Sequence, residues 1–209
     1  MIKIIVTDDH AIVRRGLRQI VGETSDIVIA AEAENATQLL ELLPDSKFNV
    51  LVLDINLPGR SGFDILKQVK ILCPKMPILI HSMHSEDEFA VRMLKAGASG
   101  YITKESAPDE LIKAIRKVNA GGRYVSTALG EKLALGLGKD DSKAPHEALS
   151  DREYQIMYLI ASGKMSKDIA KELSLSVKTV STYRARVLEK MQMKTNAELT
   201  RYAILNQLV

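Results

Sequence analysis

The sequence is poor in the features that mark secreted and membrane proteins. It has one cysteine among 209 residues, Cys73, which excludes an intramolecular disulfide and is compatible with a reducing compartment. No apolar stretch approaches the roughly 20 residues that a membrane-spanning helix needs. Met1 leads directly into a strand-like run rather than into a signal peptide. We therefore expect a cytoplasmic protein without a membrane partner.

The net charge is small and unevenly distributed. The chain has 29 Lys and Arg against 26 Asp and Glu, a net charge of +3. Residues 1–124 carry 16 side chains of each sign, whereas residues 149–209 carry 10 basic and 6 acidic ones. The basic excess near the carboxyl end favours a polyanionic partner for that part of the chain. The length suits one large or two small domains.

Short apolar runs alternate with helical patterns as far as about residue 120. The strand candidates are Lys3–Thr7, Val28–Ala33, Val50–Asp54, Ile78–His81 and Gly100–Thr103. The helix candidates are Ala11–Val21, Ala36–Leu43, Gly62–Leu72, Glu86–Ala96 and Ala107–Ala120, the last opened by a Ser106–Asp109 capping box. This alternation predicts an α/β domain, residues 1–122, with a doubly wound parallel sheet of five strands.

The remainder divides into a linker and a helical domain. Glycines and a charged run predict a linker over residues 123–148, in which Thr127–Leu137 has the alternative of a short helix. Residues 149–209 show only helical periodicity. The four helix candidates are Asp151–Ala161, Lys167–Leu173, Val177–Met191 and Asn196–Asn206.

Polar residues suited to helix starts precede these four segments. We expect capping boxes at Ser150 with Glu153 and at Thr195 with Glu198, and N-caps at Ser166 and Ser176. The three residues 174–176 between the second and third helices form a turn short enough for a helix-turn-helix.

Charged residues follow three of the predicted strands. Asp8 and Asp9 follow the first strand, Asp54 ends the third and Lys104 follows the fifth. Right-handed crossovers bring such carboxyl ends to one edge of a parallel sheet. Crowded carboxylates repel one another unless a cation shares the site, and Mg²⁺ prefers oxygen ligands. Taken singly, the acidic pair also fits a helix cap, and Lys104 also fits a solvated strand end.

These residues, with Ser82 and Tyr101 and the run from Asp54 through Asn56 to Gly59, resemble the receiver domain of a two-component response regulator. The segments Leu149–Glu153, Ile169–Ala170 and Lys178–Val180 resemble the LuxR-type helix-turn-helix, so the whole chain resembles the NarL/FixJ family. The resemblance implies a flavodoxin-like receiver. The sequence departs from the family at Glu105, a position where receivers commonly carry proline.

The resemblance assigns a role to each of these residues. Asp54 would accept a phosphoryl group from a sensor histidine kinase. Mg²⁺ would be held by Asp54, by one or both of Asp8 and Asp9, and by the backbone carbonyl of Asn56. Lys104 and Ser82 would contact phosphate oxygens, and Tyr101 would move inward as the switch.

The third helix of the carboxyl-terminal domain is the predicted recognition helix. Its apolar stripe, which we expect to pack inward, comprises Val177, Val180, Tyr183, Val187 and Met191. The residues that we expect to contact double-stranded promoter DNA are Lys178, Thr179, Ser181, Thr182, Arg184, Ala185 and Arg186. Domains of this kind read half-sites, so we expect a homodimer in the phosphorylated state, and RNA polymerase as a further partner.

Three other functions remain open at this point. A Mg²⁺-dependent phosphatase with an aspartyl intermediate needs a second carboxylate two residues after the nucleophile, where this chain has Asn56. A regulator that binds DNA constitutively would not need the acidic pair and Lys104. A protein–protein signalling module would bind no DNA, and therefore would lack the fall in DNA affinity with salt.

Overall fold

The computed structural model describes residues 1–44, 47–58, 60–83, 88–127, 129–131, 144–206 and 208–209. The chain divides into two compact units, Met1–Leu137 and Gly138–Val209. No helix among the described residues is long and apolar enough to cross a membrane.

The first unit is a doubly wound α/β domain, as predicted. Its strands are β1 Ile2–Thr7, β2 Ile27–Ala33, β3 Val50–Leu53, β4 Ile78–Ser82 and β5 Gly100–Thr103. Its helices are α1 Ala11–Gly22, α2 Ala36–Leu42, α3 Gly62–Leu72, α4 Glu88–Lys95 and α5 Pro108–Asn119. The strands are parallel in the order β2-β1-β3-β4-β5, so the direction in which strands are added to the sheet reverses between β1 and β3.

The central strands are buried on both faces. Every residue of β3 and β4 is buried, which explains why these strands read as unbroken apolar runs. One part of the core lies between the sheet and helices α1 and α5, which bury Leu17, Val21, Leu111 and Ile115 among others. The sheet therefore gives its strand ends a rigid support.

The start of α5 differs from the prediction. The N-cap is Ala107, whose side chain makes no cap hydrogen bond, and Pro108 occupies the first turn. Proline suits the first helical position and holds the preceding residue extended, so the helix starts one residue later than predicted, at Pro108. Ser106 instead exchanges a hydrogen bond with the hydroxyl of Thr103 at 2.9 Å. The predicted Ser106–Asp109 capping box is therefore wrong.

The segment after α5 adds a short parallel bridge to the sheet. Tyr124 pairs with Gly100, and the N–H of Tyr101 donates to Tyr124 O at 3.1 Å. The N–H of Tyr124 donates to Ser99 O at 3.0 Å. The beginning of the predicted linker thus belongs to the edge of β5. Described residues 127 and 129–131 are helical, and the rest of the Thr127–Leu137 candidate lies outside the described residues.

The described part of the second unit contains four α-helices. They are α6 Asp151–Ala161, α7 Ser166–Glu172, α8 Val177–Lys190 and α9 Asn196–Leu205, preceded by a 3-10 helix at Pro145–Ala148. The buried His146 ties this 3-10 helix to α9, because its Nδ1 lies 2.8 Å from the hydroxyl of Tyr202. The predicted helix-turn-helix is α7 followed by α8.

The predicted caps of these helices have mixed outcomes. The Ser150–Glu153 capping box and the Ser176 N-cap are confirmed. The N-cap of α7 is Met165, so the prediction of Ser166 is wrong by one residue. Thr195 caps α9, but the Glu198 carboxylate accepts from the N–H of Lys194 rather than of Thr195. That pair is therefore only half of the predicted box.

Candidate functional site

The ends of three strands bring the acidic residues and the lysine together. Backbone hydrogen bonds fix each position: Asp8 N donates to Ala33 O at 3.1 Å, Asp54 N to Thr7 O at 2.9 Å and Lys104 N to Ser82 O at 2.7 Å. Asp8 and Asp54 follow β1 and β3, between which the order of the sheet reverses. Ligand sites of open α/β sheets form at such reversals.

Lys104 lies between two carboxylates. Its Nζ is 2.6 Å from Asp8 Oδ2 and 2.7 Å from Asp54 Oδ2. All three side chains are buried, with exposed fractions of 7%, 2% and 2%. The other oxygen of Asp54 accepts from the N–H of Asn56 at 3.0 Å. Lys104 is thus a buried ion-pair partner and not a solvated strand end.

Burial and charge act in opposite directions on these groups. Burial raises the pKa of the Asp54 carboxyl and the Asp8 carboxylate adds to the rise, while Lys104 and the Asn56 N–H oppose it. Burial lowers the pKa of Lys104, but its contacts with Asp54 and Asp8 hold that pKa above its ordinary value. Lys104 therefore carries a positive charge at neutral pH.

The acidic cluster has the composition of a divalent-cation site. Ligand atoms of Asp8, Asp9, His10 and Asp54 all lie within 4.8 Å of one another. Ionised, three carboxylates and one lysine leave two negative charges at the site, which a divalent cation would neutralise. Hard oxygen ligands of this kind fit Mg²⁺. His10 is the N-cap residue of α1, and Asp8 Oδ1 accepts its N–H at 2.8 Å. Neither aspartate accepts from an N–H within the helix, which weakens the helix-cap explanation.

The two predicted switch residues occupy buried positions. Ser82 ends β4 and Tyr101 lies in β5, and neither side chain is exposed. An inward movement of an exposed Tyr101 is therefore not available from this conformation. The neighbouring His81 is also buried; burial and the charge of Lys104 lower its pKa to about 4, so its ring is neutral at pH 7.

Two residues near this site were not predicted from the sequence. His10 Nδ1 lies 2.8 Å from Asp9 Oδ1, and the buried Arg14 donates to the backbone oxygen of Asp8 at 2.7 Å. A signal for Arg14 was present, because it lies on the same face of α1 as the buried Leu17 and Val21. A charged residue on the core face of a helix normally has a specific partner.

In the second unit, α8 exposes the polar face that the sequence predicts. Lys178, Ser181, Thr182 and Ala185 are exposed, and Arg186 lies beside them. The hydroxyls of Ser181 and Thr182 donate to the carbonyl oxygens four residues earlier, at 2.9 and 3.0 Å. Their oxygens keep an acceptor site toward the exterior. This face is small enough to enter a major groove.

The buried stripe of α8 differs in part from the prediction. Val180, Val187 and Met191 are buried as predicted, whereas Tyr183 is half-buried and Val177, the first residue of the helix, is 44% exposed. Leu188, outside the predicted stripe, is buried.

Contacts within the domain orient the cations of α8. Arg184 Nε donates to Asn196 Oδ1 at 2.6 Å, and the guanidinium of Arg186 lies over the ring of Tyr183. Lys190 Nζ donates to Glu153 at 2.6 Å, which joins the end of α8 to the start of α6. Thr179 is half-buried, its hydroxyl 2.8 Å from that of Ser176.

Comparison with known proteins covers both units. Residues 4–116 match the response regulator receiver domain, and residues 147–203 match the bacterial regulatory proteins of the luxR family. The chain is 33% identical to the response regulator GacA of Pseudomonas aeruginosa, over 100% of this chain and 98% of that protein. It is 32% identical to the response regulator UvrY of Escherichia coli, over 98% and 94%.

The chain belongs to the NarL/FixJ family of response regulators. A solved relative is RcsB of Salmonella enterica serovar Typhimurium, bound to promoter DNA in the presence of the phosphomimetic BeF3-. It is 26% identical, covers 96% of this chain and 97% of its own, and has a TM-score of 0.68.

Membership of the response regulators gives the two units their general functions. A receiver domain implies a histidine kinase as partner, and a LuxR-type helix-turn-helix implies promoter DNA. Members of this family act as DNA-binding transcription regulators and not as enzymes. The phosphatase alternative is thereby set aside. In this response regulator the receiver presents an acidic pocket of the kind that binds Mg²⁺ in its family.

Proposed function

We propose that this response regulator is controlled by phosphorylation of Asp54, with Mg²⁺ bound at Asp54, at one or both of Asp8 and Asp9, and at the Asn56 carbonyl. The observation that carries the proposal is the contact of Lys104 Nζ with both Asp8 and Asp54, at 2.6 and 2.7 Å. A lysine ammonium held between two buried carboxylates is placed to contact the negative charge of a phosphoryl group added at Asp54. Phosphorylation then shifts dimerisation and binding to promoter DNA.

The residues present are suited to phosphoryl transfer. A carboxylate oxygen of Asp54 attacks the phosphorus of a phosphohistidine; an O–P bond forms as the N–P bond breaks, and its electron pair returns to the imidazole nitrogen. Bound Mg²⁺ would neutralise charge on the transferring oxygens. Lys104 would pair with one oxygen of the new phosphoryl group, and the Ser82 hydroxyl would donate a hydrogen bond to another of its oxygens.

The DNA-binding side of the proposal rests on α8. Ser181, Thr182 and Ala185 would lie against base edges, with the alanine methyl suited to a thymine methyl. Lys178, Thr179, Arg184 and Arg186 would contact phosphates and fix the register. RNA polymerase at the promoter is the further partner that we propose, and the cytoplasm, where bacterial promoters lie, is the site of action.

The last helix supports dimer formation. Ile204 and Leu205 of α9 are 59% and 72% exposed, so this helix offers adjacent apolar side chains that a second copy of the chain could cover. A two-fold pair of recognition helices would read two half-sites one helical turn of DNA apart.

The test is DNA binding with and without a phosphodonor. We expect Mg²⁺ and acetyl phosphate to raise the affinity of the unaltered protein for its promoter at constant salt, and Asp54→Asn to abolish this increase. The matched control is Asp64→Asn, which removes an aspartate in the first turn of α3. An equal increase in Asp54→Asn would contradict the proposal, and equal affinity with and without donor in the unaltered protein would support constitutive binding.

A further inference from the structure

A buried arginine holds the backbone oxygen of Asp8. Arg14 Nη1 donates to Asp8 O at 2.7 Å, and the Arg14 side chain is only 8% exposed. The backbone N–H of Arg14 donates to His10 O at 3.2 Å. Arg14 thus contacts, through its main chain and its side chain, both ends of the turn between β1 and α1. That turn carries Asp8 and Asp9.

Two glutamates fix the other side of the guanidinium. Glu34 Oε1 pairs with Arg14 Nη2, and Glu32 Oε2 lies 3.3 Å from Arg14 Nε. Glu32 belongs to β2 and Glu34 follows its end. A planar guanidinium offers its donors in fixed directions. An arginine held by Glu32 and Glu34 therefore adds a second constraint on Asp8, at its carbonyl oxygen, and with it on the turn.

The position of this charge is unfavourable by electrostatics alone. A buried cation beside an acidic cluster repels a divalent ion that would bind there. The two glutamates offset that repulsion. What remains specific to Arg14 is its hydrogen bond to the backbone of the residue that supplies a proposed ligand.

We propose that Arg14 is a positioning residue for the divalent cation, acting through the turn that carries Asp8 and Asp9. The inference rests on the proposed Mg²⁺ site of the receiver. Partners that orient metal ligands change metal affinity by about 10–100-fold when replaced. Loss of Arg14 lowers Mg²⁺ affinity in this range, although it removes a positive charge from the neighbourhood.

The test is the dissociation constant for Mg²⁺, measured by isothermal titration calorimetry on the full chain without phosphodonor. Arg14→Met is expected to weaken Mg²⁺ binding by about 10-fold or more. Its matched control is Arg18→Met. Arg18 also pairs with Glu32, at 2.9 Å, but its side chain is 56% exposed. The control measures the effect of removing one positive charge near the site without removing the hydrogen bond to Asp8. Arg18→Met is expected to leave Mg²⁺ binding unchanged or to make it slightly tighter.

The direction of the change separates the explanations. Weaker binding at full stoichiometry supports positioning, whereas a structural defect would reduce the number of sites and leave their affinity unchanged. Circular dichroism checks the fold. If Arg14→Met does not fold, Arg14→Lys serves instead, because lysine keeps the positive charge but lacks the planar set of guanidinium donors. Weaker Mg²⁺ binding is again expected.

The inference would be overturned if folded Arg14→Met bound Mg²⁺ as tightly as the unaltered protein or more tightly. Where Arg14→Lys is used instead, binding equal to that of the unaltered protein would overturn it. Either result would leave the proposed function in place. If the unaltered protein bound no Mg²⁺, the proposed cation site and this inference would both be overturned.

Discussion

At the scale of single residues, the site is a balance of buried charges whose partners the sequence identifies only in part. Asp54 was predictable, because a carboxylate at the end of an unbroken apolar run falls at the carboxyl edge of a parallel sheet. The contact of Lys104 with both Asp8 and Asp54 was not, since strand order does not determine which side chains meet. Arg14 shows the same limit more clearly, as its partners lie on another strand.

Glu153 gives a prediction of pH-dependent stability. Burial acts to raise the pKa of this carboxyl, but its hydrogen bonds with Lys190 and Ser150 outweigh burial and hold the pKa below its ordinary value. A lowered folded-state pKa adds stability above the unfolded-state pKa, and this stability is lost as pH falls through the folded-state pKa. Glu153→Gln is expected to lower the free energy of unfolding by about 1–3 kcal/mol at pH 7, and by much less at pH 3.

Amide hydrogen exchange of α6 in the full chain would measure this difference. Glu147→Gln is the matched control, because Glu147 is exposed in the 3-10 helix and its replacement is expected to change exchange little. An equal cost of Glu153→Gln at both pH values would show that the carboxylate charge does not stabilise the domain.

At the scale of secondary structure, the order and type of the elements followed from the sequence, and several ends did not. Apolar runs and helical spacing predicted the ends of the five described strands and the nine described α-helices to within two residues of their observed positions. For α4 the comparison uses only its described residues. Caps at Ser106 and Ser166 were wrong, because a neighbouring proline or a one-residue shift decides which residue starts a helix. The bridge of Tyr124 to β5 was also missed, since one isolated pair leaves no periodic pattern.

Gly100 gives a prediction about that bridge. A Cβ at Gly100 would lie 2.8 Å from the backbone oxygen of Tyr124 and 3.0 Å from Leu79 Cδ1. Gly100→Ala therefore forces Tyr124 away from β5 and is expected to lower the free energy of unfolding by about 1–3 kcal/mol. Thermal unfolding followed by calorimetry would show the loss.

The control for this change lies in a helix. A Cβ at Gly16 would meet nothing within 4 Å, so Gly16→Ala in α1 is expected to stabilise by about 0.5–1 kcal/mol. If both variants were equally stable, the close approach of Tyr124 to β5 would not matter for folding.

At the scale of the whole molecule, two compact units with separate sites are joined in one chain. The receiver gathers carboxylates and a lysine at a strand edge, and the helical unit presents a polar face on α8. The general function was accessible from the sequence, because ordered motifs in both halves resemble one family. We propose that a local charge change at Asp54 alters assembly, in line with other switches that add phosphate charge.

The most direct test of this proposal is the solution mass of the full chain, measured by analytical ultracentrifugation with and without Mg²⁺ and beryllofluoride, an acyl-phosphate mimic. We expect a shift from monomer to dimer in the unaltered protein and none in Asp54→Asn. A mass that does not change in the unaltered protein, or that changes equally in both, would contradict the claim that phosphorylation of Asp54 drives dimerisation.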